Sequence, residues 1–400
     1  MATIVTDAPE KSIPAIKHLP IIGNLPEFRR DRLGLFLRVA RECGDIGMLH
    51  FGPFPGILIN SPELVHSVLV EHAYDFDKGE FQHNAFRPTL GNGLLISEGE
   101  YHRQQRKLIA PSFQPRNIIA YAAAMGAYGE QLQSEWADGA IVDIGHEMTR
   151  VTMSIVGKVL FDTDVFTEAD ELGAAMTTIL EHINHTLSKL FPVPFSWPTP
   201  RNFRAKRAIA VLRSRIQQMI DERRTSSQER NDFLSILLNA QGEDGSHMTN
   251  EQIGDEALIL FAAGHETTAT ALTWAWYVLA THPDIYEKMQ LEIDTVLQGR
   301  TPTYSDLAQL PYTLQVFKET MRLYPPAYGF VRVALRDQKI VGYSISKGQT
   351  VIISPYTMHR NAAYFSDPET FDPERFVPEN EKKLPRLAYM PFGAGPRICI

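Results

Sequence analysis

Apolar residues recur at helical spacing along most of the chain. The pattern predicts helices over 31–43, 61–71, 99–109, 115–136, 146–161, 168–189, 201–223, 231–239, 250–281, 283–298 and 311–323. Over 250–281, Thr249 and Gln252 have the spacing of a capping box, and Pro283 stops the run. This segment is apolar on most sides, through Leu258, Ile259, Leu260 and Phe261, so it belongs at the centre of the protein. Strand signals are few. Residues 46–50 and 56–60 flank a Gly/Pro turn and read as a hairpin; 331–335, 339–344 and 350–354 read as short strands. Segments 75–95 and 186–200 read as loops. There is no regular βαβ alternation and no repeat of 20–50 residues. The fold class expected is mainly α with a small β region.

Composition narrows the setting. No Gly/Ser linker or charge run marks a boundary, so 1–400 is expected to be one domain. The prolines at 192–200 read as a stiff connection between helices. A net charge of −8 argues against nucleic acid as a partner. Two cysteines, Cys43 and Cys399, make no disulfide framework and suit a reducing compartment. The N-terminus lacks a signal-peptide pattern, and no apolar run reaches membrane-spanning length. A cytoplasmic protein with no transmembrane anchor is expected.

Three segments carry chemistry. Phe392-Gly-Ala-Gly-Pro-Arg-Ile-Cys399 has glycines that let the backbone approach a flat cofactor and aim N–H groups at a sulfur. Arg397 within it offers a charged fork for carboxylates. Taken as glycines alone, the loop could equally hold an incidental cysteine. Glu319 and Arg322 lie three apart on one predicted helix face, and spacing alone leaves them a solvated pair. Ala263-Gly264-His265-Glu266-Thr267-Thr268 interrupts the long helix. Gly264 there costs about 1 kcal/mol, and an acid beside a hydroxyl suits a proton route. Small residues for close helix packing compete with that reading. His265-Glu266 starts a His-Glu-x-x-His pattern, but position 269 is alanine, which excludes a zinc protease. His182 and His185, three apart, do not by themselves complete a zinc site.

Together, the Phe-x-x-Gly-x-Arg-x-Cys run, Glu-x-x-Arg and Ala-Gly-x-Glu-Thr-Thr resemble the cytochrome P-450 family. The resemblance extends from Pro20 to Cys399, with the motifs in the family's order. It implies the cytochrome P-450 fold and a haem b (iron protoporphyrin IX) whose axial ligand is the Cys399 thiolate. Phe392, Gly393, Ala263 and Gly264 would lie at the cofactor, the last two leaving room above the iron. Thr267 would hydrogen-bond dioxygen and Glu266 would relay protons. His102, Arg106, Arg332 and Arg397 would hold the propionates. Glu319, Arg322 and Arg375 would form a buried structural triad. Leu94, Leu95, Ala263, Ala327 and Phe330 would line a pocket for a small hydrophobic substrate: a fatty acid, terpenoid, steroid or polyketide.

The implied activity is that of a monooxygenase, inserting one atom of dioxygen into its substrate and reducing the other to water. Rival readings are a haem-thiolate peroxygenase or isomerase and a non-catalytic haem-binding sensor. Glu266 and Thr267 favour the monooxygenase, because peroxide chemistry needs no such proton relay. The chain has no flavin, iron–sulfur or dinucleotide module, so electrons are expected from an external ferredoxin or flavodoxin with its reductase. The family continues past its cysteine into a helix; this chain stops at Ile400 and is expected to be cut short there.

Overall fold

Capping and proline signals set most helix ends. The computed structural model describes residues 11–163, 169–189, 191–225, 232–241, 245 and 247–400. In chain order the helices are α1 (Leu25–Arg30), α2 (Arg32–Cys43), α3 (Pro62–His66), α4 (Gly79–Leu90), α5 (Gly99–Ile109), α6 (Pro115–Ser134), α7 (Ile144–Phe161) and α8 (Ala169–Leu187). They continue as α9 (Pro200–Thr225), α10 (Phe233–Asn239), α11 (Asn250–Thr281), α12 (Pro283–Leu297), α13 (Pro311–Leu323), α14 (Pro355–Met358) and α15 (Pro378–Glu381). The strands are β1 (Ile46–Phe51), β2 (Phe54–Ile59), β3 (Phe76–Asp77), β4 (Phe330–Ala334), β5 (Gln338–Ile340), β6 (Tyr343–Ile345) and β7 (Thr350–Ile353). The Thr249–Gln252 capping box forms in full, with each side chain bonded to the other's backbone N–H.

The chain divides into two compact units. The first comprises Met1–Gly79 with Met321–Cys399, the second Glu80–Thr320 with Ile400. The first unit is built on a five-stranded sheet of order β1-β2-β7-β4-β3, parallel only between β2 and β7. Its strands alternate inward apolar positions such as Ile57, Ile59, Val351 and Ile353, which pack with Leu64, Val65, Val68 and Met358. The second unit is helical. Its core joins Phe161, Ile179, Leu212, Ile216 and Phe233 to the N-terminal half of α11. Each such side chain contributes roughly 1.5–3 kcal/mol on burial.

Three sequence expectations are corrected. Residues 79–90 form α4 rather than part of a loop; Gly79 at its start and Pro88 inside it mask the helical signal. The strand expected over 339–344 is two strands, β5 and β6. Val341 (φ 50°) and Gly342 (φ 86°) both adopt left-handed backbone there and make the tight turn of a hairpin. The helix expected over 61–71 is α3 followed by a π-helical turn, Ser67–Glu71.

Candidate active site

In the first unit the Phe392–Cys399 loop is tied by its own backbone. Cys399 N–H donates to Phe392 O at 3.0 Å and Ile398 N–H to Gly395 O at 3.1 Å. Gly393 and Gly395 take φ values of 72° and 68°. At Gly395 a Cβ would lie 1.8 Å from the Leu69 carbonyl oxygen, so only glycine lets the loop cross the Ser67–Glu71 turn. Cys399 and Phe392 are both exposed on this loop, an apolar ring and a thiol close in sequence. Cys43 and Cys399 form no disulfide.

Beside the loop, the first unit gathers cations. Arg332 sits on β4 and is buried; Arg397 lies in the loop; Lys78 follows β3. Burial first, then the charges of Arg397 and Arg332, pushes Lys78 down to about 6. Burial likewise pulls Arg332 and Arg397 below the ordinary guanidinium range, against the opposing pull of Asp77. Such a cluster answers a ligand carrying paired carboxylates. An exposed thiol on a glycine loop answers a soft metal in a flat ring. This donor set fits a haem. Lys78 was not legible in the sequence: a single lysine after a two-residue strand carries no pattern. In the second unit, His102 is buried and Arg106 half-buried, one turn apart on a face of α5.

Arg322 is fully buried. It donates to three carbonyls, His359 O at 2.9 Å, Pro368 O at 2.7 Å and Thr370 O at 3.0 Å. His359, also fully buried, bonds Arg322 O through Nδ1 at 3.2 Å and accepts Met390 N–H on Nε2 at 2.9 Å. Those contacts specify the neutral Nδ1–H tautomer, and burial holds its pKa down to about 3. His359 thus ties Arg322 to the segment entering the Cys399 loop. Neither its sequence neighbours nor its spacing announced that role. Glu319 is fully buried; Arg375 is half-buried and donates to Asp367 O at 3.1 Å. A pair that spacing alone left on the surface is therefore interior.

In the second unit, α11 turns a face of small and hydroxyl residues outward: Ala263, Thr267 and Thr268 are exposed. Thr267 Oγ1 donates to Ala263 O at 2.7 Å and Thr268 Oγ1 to Gly264 O at 2.9 Å. With its proton so engaged, the Thr267 oxygen keeps acceptor capacity. Glu266 is half-buried, its side chain 44% exposed. Burial still raises its pKa. Gly264 serves packing: a Cβ there would meet Val156 Cγ2 of α7 at 2.9 Å.

Of the expected pocket residues, Leu94 is buried, Leu95 and Ala327 are exposed and Phe330 is half-buried. His182 is buried edge-on against Phe195, with ring centroids 5.1 Å apart. Among the described residues no group of three or more metal-ligating side chains gathers, and no helix is long and apolar enough to cross a membrane.

Comparison with known proteins accounts for these features together. The chain is 37% identical over 385 residues to cyclooctatin synthase of Streptomyces melanosporofaciens, covering 96% of this chain and 83% of that protein. It is 35% identical to cyclooctat-9-en-7-ol 5-monooxygenase of the same organism, with the same coverage. The retinoic acid-bound cyanobacterial CYP120A1 superposes with a TM-score of 0.84 at 26% identity, over 98% of this chain and 88% of that one. The cytochrome P-450 family model matches residues 13–400, and the chain belongs to that family of haem-thiolate monooxygenases acting on hydrophobic substrates.

Proposed function

We propose that the chain hydroxylates a terpenoid, with Cys399 as the thiolate ligand of its haem. The exposed thiol on a glycine loop, with the Lys78, Arg332 and Arg397 cluster in the same unit, carries this reading. The terpenoid class rests on the substrate named for a 35% identical relative, an unsaturated alcohol oxidised at carbon 5. Leu94, Leu95, Ala263, Ala327 and Phe330 suit such a guest, being apolar without exception.

When bound, the haem supplies the activation of dioxygen and the uptake of electrons. The protein's own part is positioning and proton handling. Arg332, Arg397 and Lys78 would hold one or both propionates, with His102 and Arg106 as further donors. Phe392 and Gly393 would flank the thiolate, and Ala263 would leave room for substrate. The Thr267 hydroxyl holds its proton on Ala263 O and offers its lone pairs to the exposed face. Glu266, with its pKa raised, exchanges protons closer to neutrality than a solvated glutamate. Glu319, Arg322 and Arg375 act as structural supports. We assign the electron supply to a separate ferredoxin or flavodoxin with its reductase, and the setting to the cytoplasm.

The decisive experiment compares reduced carbon monoxide difference spectra of the haem-loaded wild type and Cys399→Ser. The thiolate-type band should be present in the first and lost in the second. An unchanged Soret spectrum after the substitution would remove Cys399 from the iron.

A further inference from the structure

Two neighbouring carboxylates on α11 grip the segment that leads into the Leu94–Leu95 pair. Asp255 accepts Asn92 N–H on Oδ2 at 2.8 Å, and its Oδ1 takes Arg213 Nη2 of α9 at 2.8 Å. Glu256, with none of its surface exposed, accepts Leu94 N–H on Oε2 at 2.8 Å. Its Oε1 meets no hydrogen-bond donor among the described residues. Consecutive residues on a helix point about 100° apart, so the carboxylates reach alternate residues of the loop from different directions. Holding a chain at two points fixes its rotation as well as its position.

The loop is cut to receive them. Gly91 has φ +80°, and a Cβ there would fall 2.0 Å from Asp255 Oδ1. A Cβ on Gly93 would meet Glu256 Oε2 at 2.9 Å and Ile259 Cδ1 at 3.0 Å. Gly93 O then accepts the Ile96 and Ser97 N–H groups at 2.9 Å, closing the turn around Leu94 and Leu95. A buried carboxylate spent on one amide is a costly way to hold a loop that only had to be covered. Burial, followed by the like charge of Asp255, pushes Glu256 up to about 7 against the pull of Leu94 N–H.

We propose that Asp255 and Glu256 are positioning residues for substrate specificity: they clamp the Gly91–Leu95 segment to α11 and so set where Leu94 and Leu95 stand. The inference rests on the pocket assigned to those two leucines above.

The test uses the haem-loaded full chain as wild type, Glu256→Gln, Glu256→Ala, Asp255→Ala and Gly93→Ala. Amide hydrogen exchange is followed over residues 91–95. Spectral dissociation constants are taken for imidazole and for the bulky azole clotrimazole. Loss of one buried hydrogen bond should speed exchange at Asn92 or Leu94 about tenfold in Asp255→Ala and Glu256→Ala. The clotrimazole-to-imidazole affinity ratio should shift with it, while Glu256→Gln, which keeps an acceptor oxygen, stays near wild type. Gly93→Ala loads the clamp from the loop side and should shift the same ratio even if Glu256→Ala folds poorly. Local exchange and an azole ratio unchanged in every variant, with the thiolate-type carbon monoxide band intact, would overturn the clamp alone. A wild type lacking that band would remove the pocket reading and the clamp with it.

Discussion

Replacing Glu256 by glutamine makes a titrating buried group permanently neutral, and the effect on stability can be worked out in advance. The carboxyl ordinarily titrates near 4.5, and here burial carries it to about 7. The folded protein therefore keeps a proton that the unfolded chain releases between those values. Stability is at its full value below about 4.5 and declines as pH rises through about 7. At about 1.4 kcal/mol per pKa unit, the gap corresponds to roughly 3 kcal/mol as an upper bound. The assay is the urea midpoint of haem-loaded wild type and Glu256→Gln at pH 5 and pH 8. Subtracting the variant removes the pH dependence of every other group, including the cofactor's. The wild type should lose up to about 3 kcal/mol more than the variant over that range. Parallel pH profiles would refute the argument, because they would mean the carboxylate is as well solvated folded as unfolded.

Other expectations follow from the same structure. Gly395→Ala places a methyl 1.8 Å from the Leu69 carbonyl at a left-handed φ, and should abolish haem retention or folding, read from the Soret-to-protein absorbance ratio. Arg322→Ala leaves three carbonyls without their donor and should cost roughly 3–5 kcal/mol, seen as lost yield or a lower urea midpoint. Lys78→Met removes one charge-assisted contact worth about 1.5–3 kcal/mol, so haem transfer to apomyoglobin should quicken about ten- to a hundredfold. Thr267→Ala should leave the carbon monoxide band intact yet consume electrons without matching product, measured as reductant used per product formed.

Local signals made the long elements readable in advance. The bounds of α11 and α13 follow directly from a capping box, from Pro283 and from apolar periodicity. The Phe392–Cys399 loop and the Thr267 segment stood out in the sequence because each packs several unusual residues into a short stretch. What escaped was either locally contradicted or held by distant partners. α4 hid behind Gly79 and Pro88, which oppose the helix that forms there. Lys78, His359 and Glu256 gain their meaning from Arg397, Arg322 and Leu94, far away along the chain. No periodicity links residues that meet only after folding. Burial of Glu319 and Arg322 was likewise beyond spacing, which treats an exposed pair and an interior one alike.

The crowding of Lys78, Arg332 and Arg397 also says something about the protein's life before it is complete. Burying a lysine beside two guanidinium groups is unfavourable for its charged form, and the pKa of Lys78 is lowered first by burial and then by Arg397 and Arg332. An anion bound beside these groups would offset that cost and stabilise the folded unit. Chains without the prosthetic group should therefore be less stable, and phosphate or another multivalent anion should restore part of that stability.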